Sequence, residues 1–412
     1  MKSRFAIAAA VLALAGSAHA APKPDARLLA AVKACEPGAR TLLEKLVAID
    51  SGTGDADGVK AVGALDAAEL KALGASVKAA SPPPGASAGD NLVATLTGTG
   101  KGRILLIAHM DTVFSRGDVA RIKPHWQGDS YYGPGAGDDK SGGVTAICAL
   151  KALTATGFKD FARIDLLLNA SEEVGSPGSR ALIVALAKDS DIVINLERGV
   201  PTDQIEIARK GAATLTLEFA GRAAHSGLEP EKGRNAALEA ARVALALGAL
   251  ADPARQTTVT VDILSGGDKT NVVPDRALIK ADVRAFTAAE LDRVERGAAD
   301  LAAHPGIDGV TIKSSLARSF PPWPRLPAAD AMLARANRLY AELGRQLTGT
   351  EVGSSSDANL AATTGVPTLD GFSMEGGGAH SVDDHADLAT LTPRAYLLAR
   401  MLMDVGHAPK GQ

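Results

Sequence analysis

The segment ILLIAHMD, residues 104–111, gives the clearest indication of the fold class. Its first five residues form an apolar run of strand length, and two similar runs follow at 164–168 and 192–196. Runs that are this short and nearly continuously apolar are typical of parallel strands that are buried on both faces. A strong helical pattern at 141–156 separates the first two runs, as a crossover between parallel strands requires. The sequence therefore predicts an α/β domain with a mostly parallel sheet flanked by helices.

A different pattern begins near residue 210. Alternating strand-like runs and helical patterns follow one another, at 214–219, 257–264 and 277–283 for the strands and at 235–250 and 288–302 for the helices. This order predicts an α+β domain with an antiparallel sheet, inserted into the first domain. The proline-rich stretch 320–324 is the expected exit hinge. The predicted boundaries are 21–209 and 322–412 for the first domain and 210–321 for the inserted domain.

Length, charge and the N-terminal segment limit the classes of protein to consider. The chain has 412 residues, 46% of them apolar, and a formal net charge of −3, with no basic run of the kind that nucleic acids require. Residues 1–20 combine Lys2 and Arg4 with a short apolar run and the small-x-small pattern 18–20, which predicts a cleaved signal peptide and a periplasmic or secreted protein. We expect no nucleic-acid partner and no membrane anchor, because no stretch approaches ~20 apolar residues.

Two cysteines, Cys35 and Cys148, are too few for a disulfide framework in a chain of this length. Cys148 lies within the apolar helical pattern at 141–156. We therefore expect Cys148 to be a small buried side chain rather than half of a disulfide.

Side chains that can bind metals follow each of the three apolar runs. His109 and Asp111 follow the first run, Glu172 and Glu173 the second, and Glu197 the third. Ligands of open parallel sheets bind beyond the carboxyl ends of the strands, so these side chains should meet at one edge.

Asp138 and His380 complete the candidate set, each within a glycine-rich segment. Asp138 lies in the loop at 133–143, whose spacing does not fit a phosphate-binding loop or a dinucleotide fingerprint. So many carboxylates at one place repel one another unless cations lie among them. The sequence therefore predicts a two-metal centre, and the mixture of imidazole and carboxylate suits two Zn²⁺ ions, with Mn²⁺ or Co²⁺ as substitutes.

The spacing of these residues resembles the M20 family of co-catalytic zinc metallopeptidases. The matching motifs are His109-x-Asp111, Asp138-Asp139-Lys140 within the glycine-rich loop, Glu172-Glu173-x-Gly-Ser, Glu197 and Gly-x-His380-Ser. The resemblance implies that His109 and Glu197 bind one zinc ion, that Glu173 and His380 bind the second, and that Asp138 bridges both. It further implies that Asp111 orients the His109 ring and that Glu172 is the general base.

The resemblance also extends to the inserted domain. It implies a homodimer through this domain, which would also serve as a lid, with His225 reaching across the dimer to the carbonyl oxygen of the substrate. Asn271, Arg284 and Arg318 match positions that hold a substrate carboxylate. The chain departs from the family pattern at 353–357, Gly-Ser-Ser-Ser-Asp, and after His380.

The expected activity is therefore that of an exported carboxypeptidase acting on small peptides or N-acyl amino acids. The C-terminal residue released is expected to be glutamate, as in folate-like substrates. The enzymatic alternative is a dipeptidase, an aminoacylase or an aminopeptidase on the same scaffold. The non-enzymatic alternative is a periplasmic solute-binding protein. The alternatives differ in whether the protein hydrolyses amides, and in whether the substrate needs a free α-carboxylate or a free α-amine.

Overall fold

A computed structural model describes residues 22–86 and 89–407. The predicted signal peptide at 1–20 lies outside the described residues. The helices are α1 Ala26–Val47, α2 Ala56–Ala72, α3 Asp118–Ile122, α4 Ser141–Thr156, α5 Arg180–Lys188, α6 Ala236–Gly248, α7 Ala288–Ala303, α8 Pro327–Tyr340, α9 Asp357–Ala362 and α10 Leu391–His407. The strands are β1 Ser76–Ala80, β2 Asn91–Thr97, β3 Arg103–His109, β4 His125–Gln127, β5 Ser130–Tyr132, β6 Arg163–Asn169, β7 Ile192–Asn195, β8 Gln204–Arg209, β9 Gly211–Ala220, β10 Thr258–Gly266, β11 Arg276–Ala285, β12 Thr311–Phe320, β13 Thr348–Val352, β14 Thr368–Leu369, β15 Gly376–Gly377 and β16 His385–Asp387.

The larger sheet has the strand order β1-β2-β6-β3-β7-β14. Strands β6, β3, β7 and β14 run parallel to one another, whereas β1 and β2 add antiparallel pairings at one edge. The three apolar runs are therefore neighbours in a mixed sheet whose centre is parallel. Alternate residues of β3 enter two different apolar clusters, Leu106 on one face and Leu105 on the other, because helices cover both faces. This confirms the predicted α/β fold.

Helix α4 lies against the sheet at its predicted position. Twelve of its 16 residues are buried, and Gly157 ends the helix with a left-handed backbone, φ +73°. Helices α1 and α10 pack against α4 on the same face of the sheet. On the opposite face, α5 packs against α9.

The expectation that Cys35 and Cys148 remain unpaired is wrong. The structure joins them in a disulfide, with their Cα atoms 5.7 Å apart. Cys35 lies on the buried face of α1, and the packing of α1 against α4 brings it opposite Cys148. A pairing between residues separated by 113 positions depends on this helix contact, which no local sequence pattern encodes.

A separate four-stranded antiparallel sheet, in the order β10-β11-β9-β12, is formed by the part of the chain from Gly211 to Phe320. Helices α6 and α7 cover one of its faces and enclose a second core. Strand β12 was not predicted, because its exposed edge position allows polar side chains at most positions. Arg209 and Trp323 exchange backbone hydrogen bonds of 2.8 and 3.0 Å where the chain enters and leaves this second domain.

Candidate metal centre

The parallel strands β3, β6 and β7 end at the same edge of the sheet, where the residues that follow them lie close together. His109 is the last residue of β3, Glu172 and Glu173 begin a single helical turn after β6, and Glu197 follows β7 by two residues. His109 and Glu172 are buried, and the Glu197 side chain is 12% exposed. The edge predicted from the sequence is thus the edge at which these side chains meet.

Asp138 reaches this edge from the glycine-rich loop before α4. A Cβ atom at Gly137 would lie 2.5 Å from the carbonyl oxygen of His385, so only glycine fits at this position. The carboxylate of Asp384 accepts hydrogen bonds from the backbone amides of Gly135 (2.7 Å) and Gly137 (3.0 Å). Asp384 therefore ties the loop that carries Asp138 to the segment that follows His380.

The two oxygens of the Asp138 carboxylate face two different groups of candidate ligands. Its Oδ1 lies 3.1 Å from Nε2 of His109, which is itself 3.9 Å from Oε1 of Glu197. Its Oδ2 lies 3.4 Å from Nε2 of His380, which is 3.1 Å from Oε2 of Glu173. The five residues thus form two groups joined by Asp138.

The main chain of Asp111 fixes the orientation of the His109 ring. Nδ1 of His109 is 2.9 Å from the carbonyl oxygen of Asp111 and 3.5 Å from its carboxylate, so the shorter contact is with the main chain. A proton on Nδ1 donated to this oxygen leaves the lone pair on Nε2, which faces Asp138. The Asp111 carboxylate instead accepts hydrogen bonds from the amides of Glu172 (3.0 Å) and Glu173 (3.3 Å).

The electrostatics of the cluster favour a bound cation. Burial and neighbouring carboxylates raise the pKa of both Glu172 and Glu197 well above its usual value, because they disfavour a further negative charge. Burial also opposes ionisation of Asp138, but hydrogen bonds from His109 and His380 outweigh it and lower the pKa of Asp138. The same contacts with Asp138 and Glu173 raise the pKa of His380 to about 10.

The donor set fits divalent metal ions. His109, Asp138 and Glu173 bring one donor atom each to within 4.8 Å of one another, and so do His109, Glu172 and Glu197. Imidazole nitrogen and carboxylate oxygen are the ligands that Zn²⁺ accepts in catalytic sites. Glu172 therefore lies close enough to His109 and Glu197 to bind a metal ion together with them.

The cluster forms one wall of a cavity of about 470 Å³. Arg284, one of the residues matched to carboxylate binding, lines this cavity from β11 of the second domain. His225 and Asn271 are exposed neighbours on the second domain, where the amide of Ser226 donates to the carbonyl of Asn271. Neither lines the cavity of its own chain.

Arg318 is placed differently from the expectation. Its guanidinium is 2.7 Å from carboxylate oxygens of both Asp292 and Glu295 on α7. It is exposed and does not line the cavity. The side chain that was predicted to bind the substrate carboxylate therefore forms ion pairs with two acidic residues of α7.

Several residues of the site were not predicted from the sequence. Arg198, Arg209 and Ser354 line the cavity, and Asp384 holds the loop before Asp138. The position of Arg198 directly after Glu197 is the one local signal that could have identified it. The other three depend on contacts between segments that are distant in sequence.

The fold and these motifs match known proteins. Residues 105–404 match the model of peptidase family M20/M25/M40. Carboxypeptidase G2 from Pseudomonas sp. (strain RS-16) is 35% identical over 404 residues, which cover 97% of each chain. A tripeptidase from Staphylococcus aureus has the same fold, with a TM-score of 0.75 at 22% identity over 90% of this chain and 99% of its own. An M20 family metallo-carboxypeptidase from Sulfolobus solfataricus has a TM-score of 0.70 at 16% identity, over 90% of this chain and 99% of its own. The chain is therefore a metallopeptidase, and it belongs to peptidase family M20/M25/M40.

Proposed function

We propose that the protein is an exported, zinc-dependent carboxypeptidase that hydrolyses the amide bond to a C-terminal amino acid, with glutamate as the preferred residue. The division of candidate ligands around Asp138 carries the proposal, because it would allow two metal ions to share one carboxylate. Similarity to carboxypeptidase G2 over nearly the whole of both chains supports the carboxypeptidase assignment. The signal-like segment at 1–20 supports export to the periplasm or the medium.

The residues of the cluster divide the work of amide hydrolysis. His109, Glu197, Glu173 and His380, with Asp138 between them, would hold two Zn²⁺ ions. Such a pair of ions lowers the pKa of a bound water and polarises the scissile carbonyl. Glu172 accepts the proton of the attacking water and passes it to the leaving amine. Asp111 keeps Glu172 in place, since its carboxylate accepts the amide hydrogen of Glu172.

Arg284 would bind the free α-carboxylate of the substrate. A requirement for this carboxylate distinguishes a carboxypeptidase from an aminopeptidase. Its Nε donates to both oxygens of Asp282, at 2.9 and 3.0 Å, so that the terminal nitrogens of the guanidinium remain for a ligand. The planar fork of a guanidinium pairs with a carboxylate through two hydrogen bonds.

We infer that His225 acts in the site of a partner subunit. Nδ1 of His225 accepts hydrogen bonds from the amides of Gly227 (3.1 Å) and Leu228 (3.2 Å), so its proton lies on Nε2. This orientation suits a donor to the carbonyl oxygen as it gains negative charge.

Exposed apolar side chains support a homodimer through the second domain. They lie on α6 and on β10, which is an edge strand of its sheet, and include Leu238, Leu245, Ile263 and Leu264. An unpaired edge strand beside exposed leucines is a surface that a second copy of the chain can cover.

Subunit mixing tests the action of His225 across the dimer. Glu172→Gln and His225→Ala proteins should each be inactive, the second by about 10²–10³-fold through kcat. Mixed dimers contain one site with both intact residues, so activity should return after subunit exchange. Verified exchange without recovered activity would contradict the proposed arrangement.

Hydrolysis of a panel of N-acyl amino acids and dipeptides in the presence of Zn²⁺ tests the function itself. We expect turnover of substrates with a free α-carboxylate and a blocked amine, with N-acyl glutamate preferred. A requirement for a free α-amine would instead indicate an aminopeptidase or dipeptidase. Tight binding without hydrolysis would indicate a solute-binding protein.

A further inference from the structure

The cavity beside the metal cluster has a second, cationic wall. This part of the lining contains Arg198, Arg209 and Arg284, together with Glu206, Ser354 and Ser355. The guanidinium groups come from different elements, since Arg198 follows β7, Arg209 ends β8 and Arg284 lies on β11. Whether each group is available to a ligand depends on its partners within the chain.

Arg209 is already fully engaged. It is buried, its Nε donates to Asp370 at 2.7 Å, and its Nη1 donates to Ser354 at 2.7 Å. Its Nη2 lies 3.5 Å from Glu206. A guanidinium with these partners supports the wall but offers no charge to a substrate.

Arg198 has no such partners. Its guanidinium makes no hydrogen bond and no ion pair within residues 22–86 and 89–407, although the side chain is half-buried in the cavity wall. Burial raises the pKa of Glu206, and the charges of Arg209 and, to a smaller extent, Arg198 lower it. Arg198 is thus a partly desolvated cation that faces the cavity without a hydrogen-bond acceptor, and an anionic ligand would satisfy it.

We propose that Arg198 binds the side-chain carboxylate of the released residue and thereby determines specificity for a dicarboxylic amino acid. This inference rests on the proposed carboxypeptidase function. Arg198 adjoins the candidate ligand Glu197 in sequence, so an anion bound to Arg198 lies close to the scissile amide. Arg284 and Arg198 stand on different domains, and each has guanidinium nitrogens without a partner in the described part of the chain. Two separate guanidinium groups match the two carboxylates of glutamate.

Substitution by methionine tests this role, because methionine removes the charge and keeps most of the length. The substrates are N-acyl glutamate and N-acyl glutamine, which differ in charge but hardly in shape. The wild-type enzyme should prefer the glutamate compound by about 10–100-fold in kcat/KM, as expected for hydrogen bonds to a charged group. Arg198→Met should bring this ratio close to one by slowing the glutamate reaction alone. Arg198→Lys should restore part of the ratio, because lysine supplies the charge without the fork.

Arg325→Met is the matched control, since Arg325 is an exposed arginine that pairs with the Asp330 carboxylate at 2.7 Å and does not line the cavity. It should leave the glutamate-to-glutamine ratio unchanged. An unchanged ratio in Arg198→Met, or an equal loss with both substrates, would overturn the proposal in favour of a structural role beside Glu206. A wild-type enzyme that does not prefer the glutamate compound would overturn it as well.

Calorimetric binding of free glutamate and glutamine to the zinc-loaded protein separates this proposal from the proposed function. Wild type should bind glutamate more tightly than glutamine, and Arg198→Met should bind both equally. Discrimination in binding without any hydrolysis would refute the carboxypeptidase and retain the role of Arg198. If the protein hydrolyses its substrates but Arg198→Met keeps the binding preference for glutamate, the carboxypeptidase function is retained and the role of Arg198 is refuted.

Discussion

Glu172 and Glu173 are adjacent residues of the same type, yet we expect opposite results from the same substitution. Both main-chain amides donate to the Asp111 carboxylate, so neither substitution disturbs how the backbone is held. The Glu173 carboxylate is 3.1 Å from Nε2 of His380 and belongs to the ligand group there. Glu173→Gln should therefore lower the metal content from two ions towards one, because a neutral amide replaces a charged ligand.

Glu172→Gln should keep both ions and lose turnover. A positioned general base contributes about 10²–10⁴-fold to the rate, which corresponds to about 3–5 kcal/mol in the activation free energy. Glutamine has nearly the same shape but cannot accept a proton, so kcat should fall by that factor while KM changes little. The metal content is measured by atomic emission after dialysis against a metal-free buffer, and kcat with N-acyl glutamate.

The position of Glu172 within 4.8 Å of donor atoms of His109 and Glu197 makes this comparison decisive. Loss of one metal equivalent in Glu172→Gln, parallel to its loss in Glu173→Gln, would show that Glu172 is a ligand. The general base would then have to be another residue.

Three further perturbations test the surroundings of the site. Asp384→Asn removes an acceptor for the amides of Gly135 and Gly137, so we expect metal affinity to fall about 10–100-fold in chelator competition, and unchanged affinity would contradict a role in holding the Asp138 loop. Cys35→Ala with Cys148→Ala should lower the free energy of unfolding by about 2–4 kcal/mol, because the disulfide closes a long loop in the unfolded chain; equal Tm values would refute this. Hydrogen bonds from Arg293, Arg255 and Thr257 lower the pKa of Glu290 to about 2, so its contribution to stability is full above its unfolded pKa and is lost as the pH falls towards 2. Glu290→Gln should therefore flatten the acid limb of the stability curve measured by denaturant titration, and parallel curves would exclude this contribution.

Local sequence patterns predicted the elements that create the metal centre. The three central strands are buried on both faces and therefore have nearly continuous apolar sequences, from which their positions could be predicted. Helix α4 occurs at 141–156 as predicted, since glycines precede it and Gly157 ends it. Because strands that lie side by side in parallel end at one edge, the residues after them could be brought together without a structure.

Contacts between distant segments could not be predicted in the same way. The disulfide requires the packing of α1 on α4, and Arg318 is engaged by two acids on α7 that have no characteristic spacing from it. Asp384 acts on Gly135 and Gly137 across about 250 positions of sequence. Such side chains carry no periodic signal, because their role is determined by which other segment lies opposite.

The difference between these two kinds of residue bears on how specificity is encoded. The fold is common to a tripeptidase and a metallo-carboxypeptidase, so the fold does not by itself determine which peptide is cleaved. In this chain the cavity is also lined by residues of β8, β11 and the segments around 198 and 354. A substitution in those segments can change the charge that meets the substrate while the contacts among Asp138, His109 and His380 stay as they are. Substitution of Arg198 or its neighbours should therefore change the substrate preference and leave the candidate metal ligands in place.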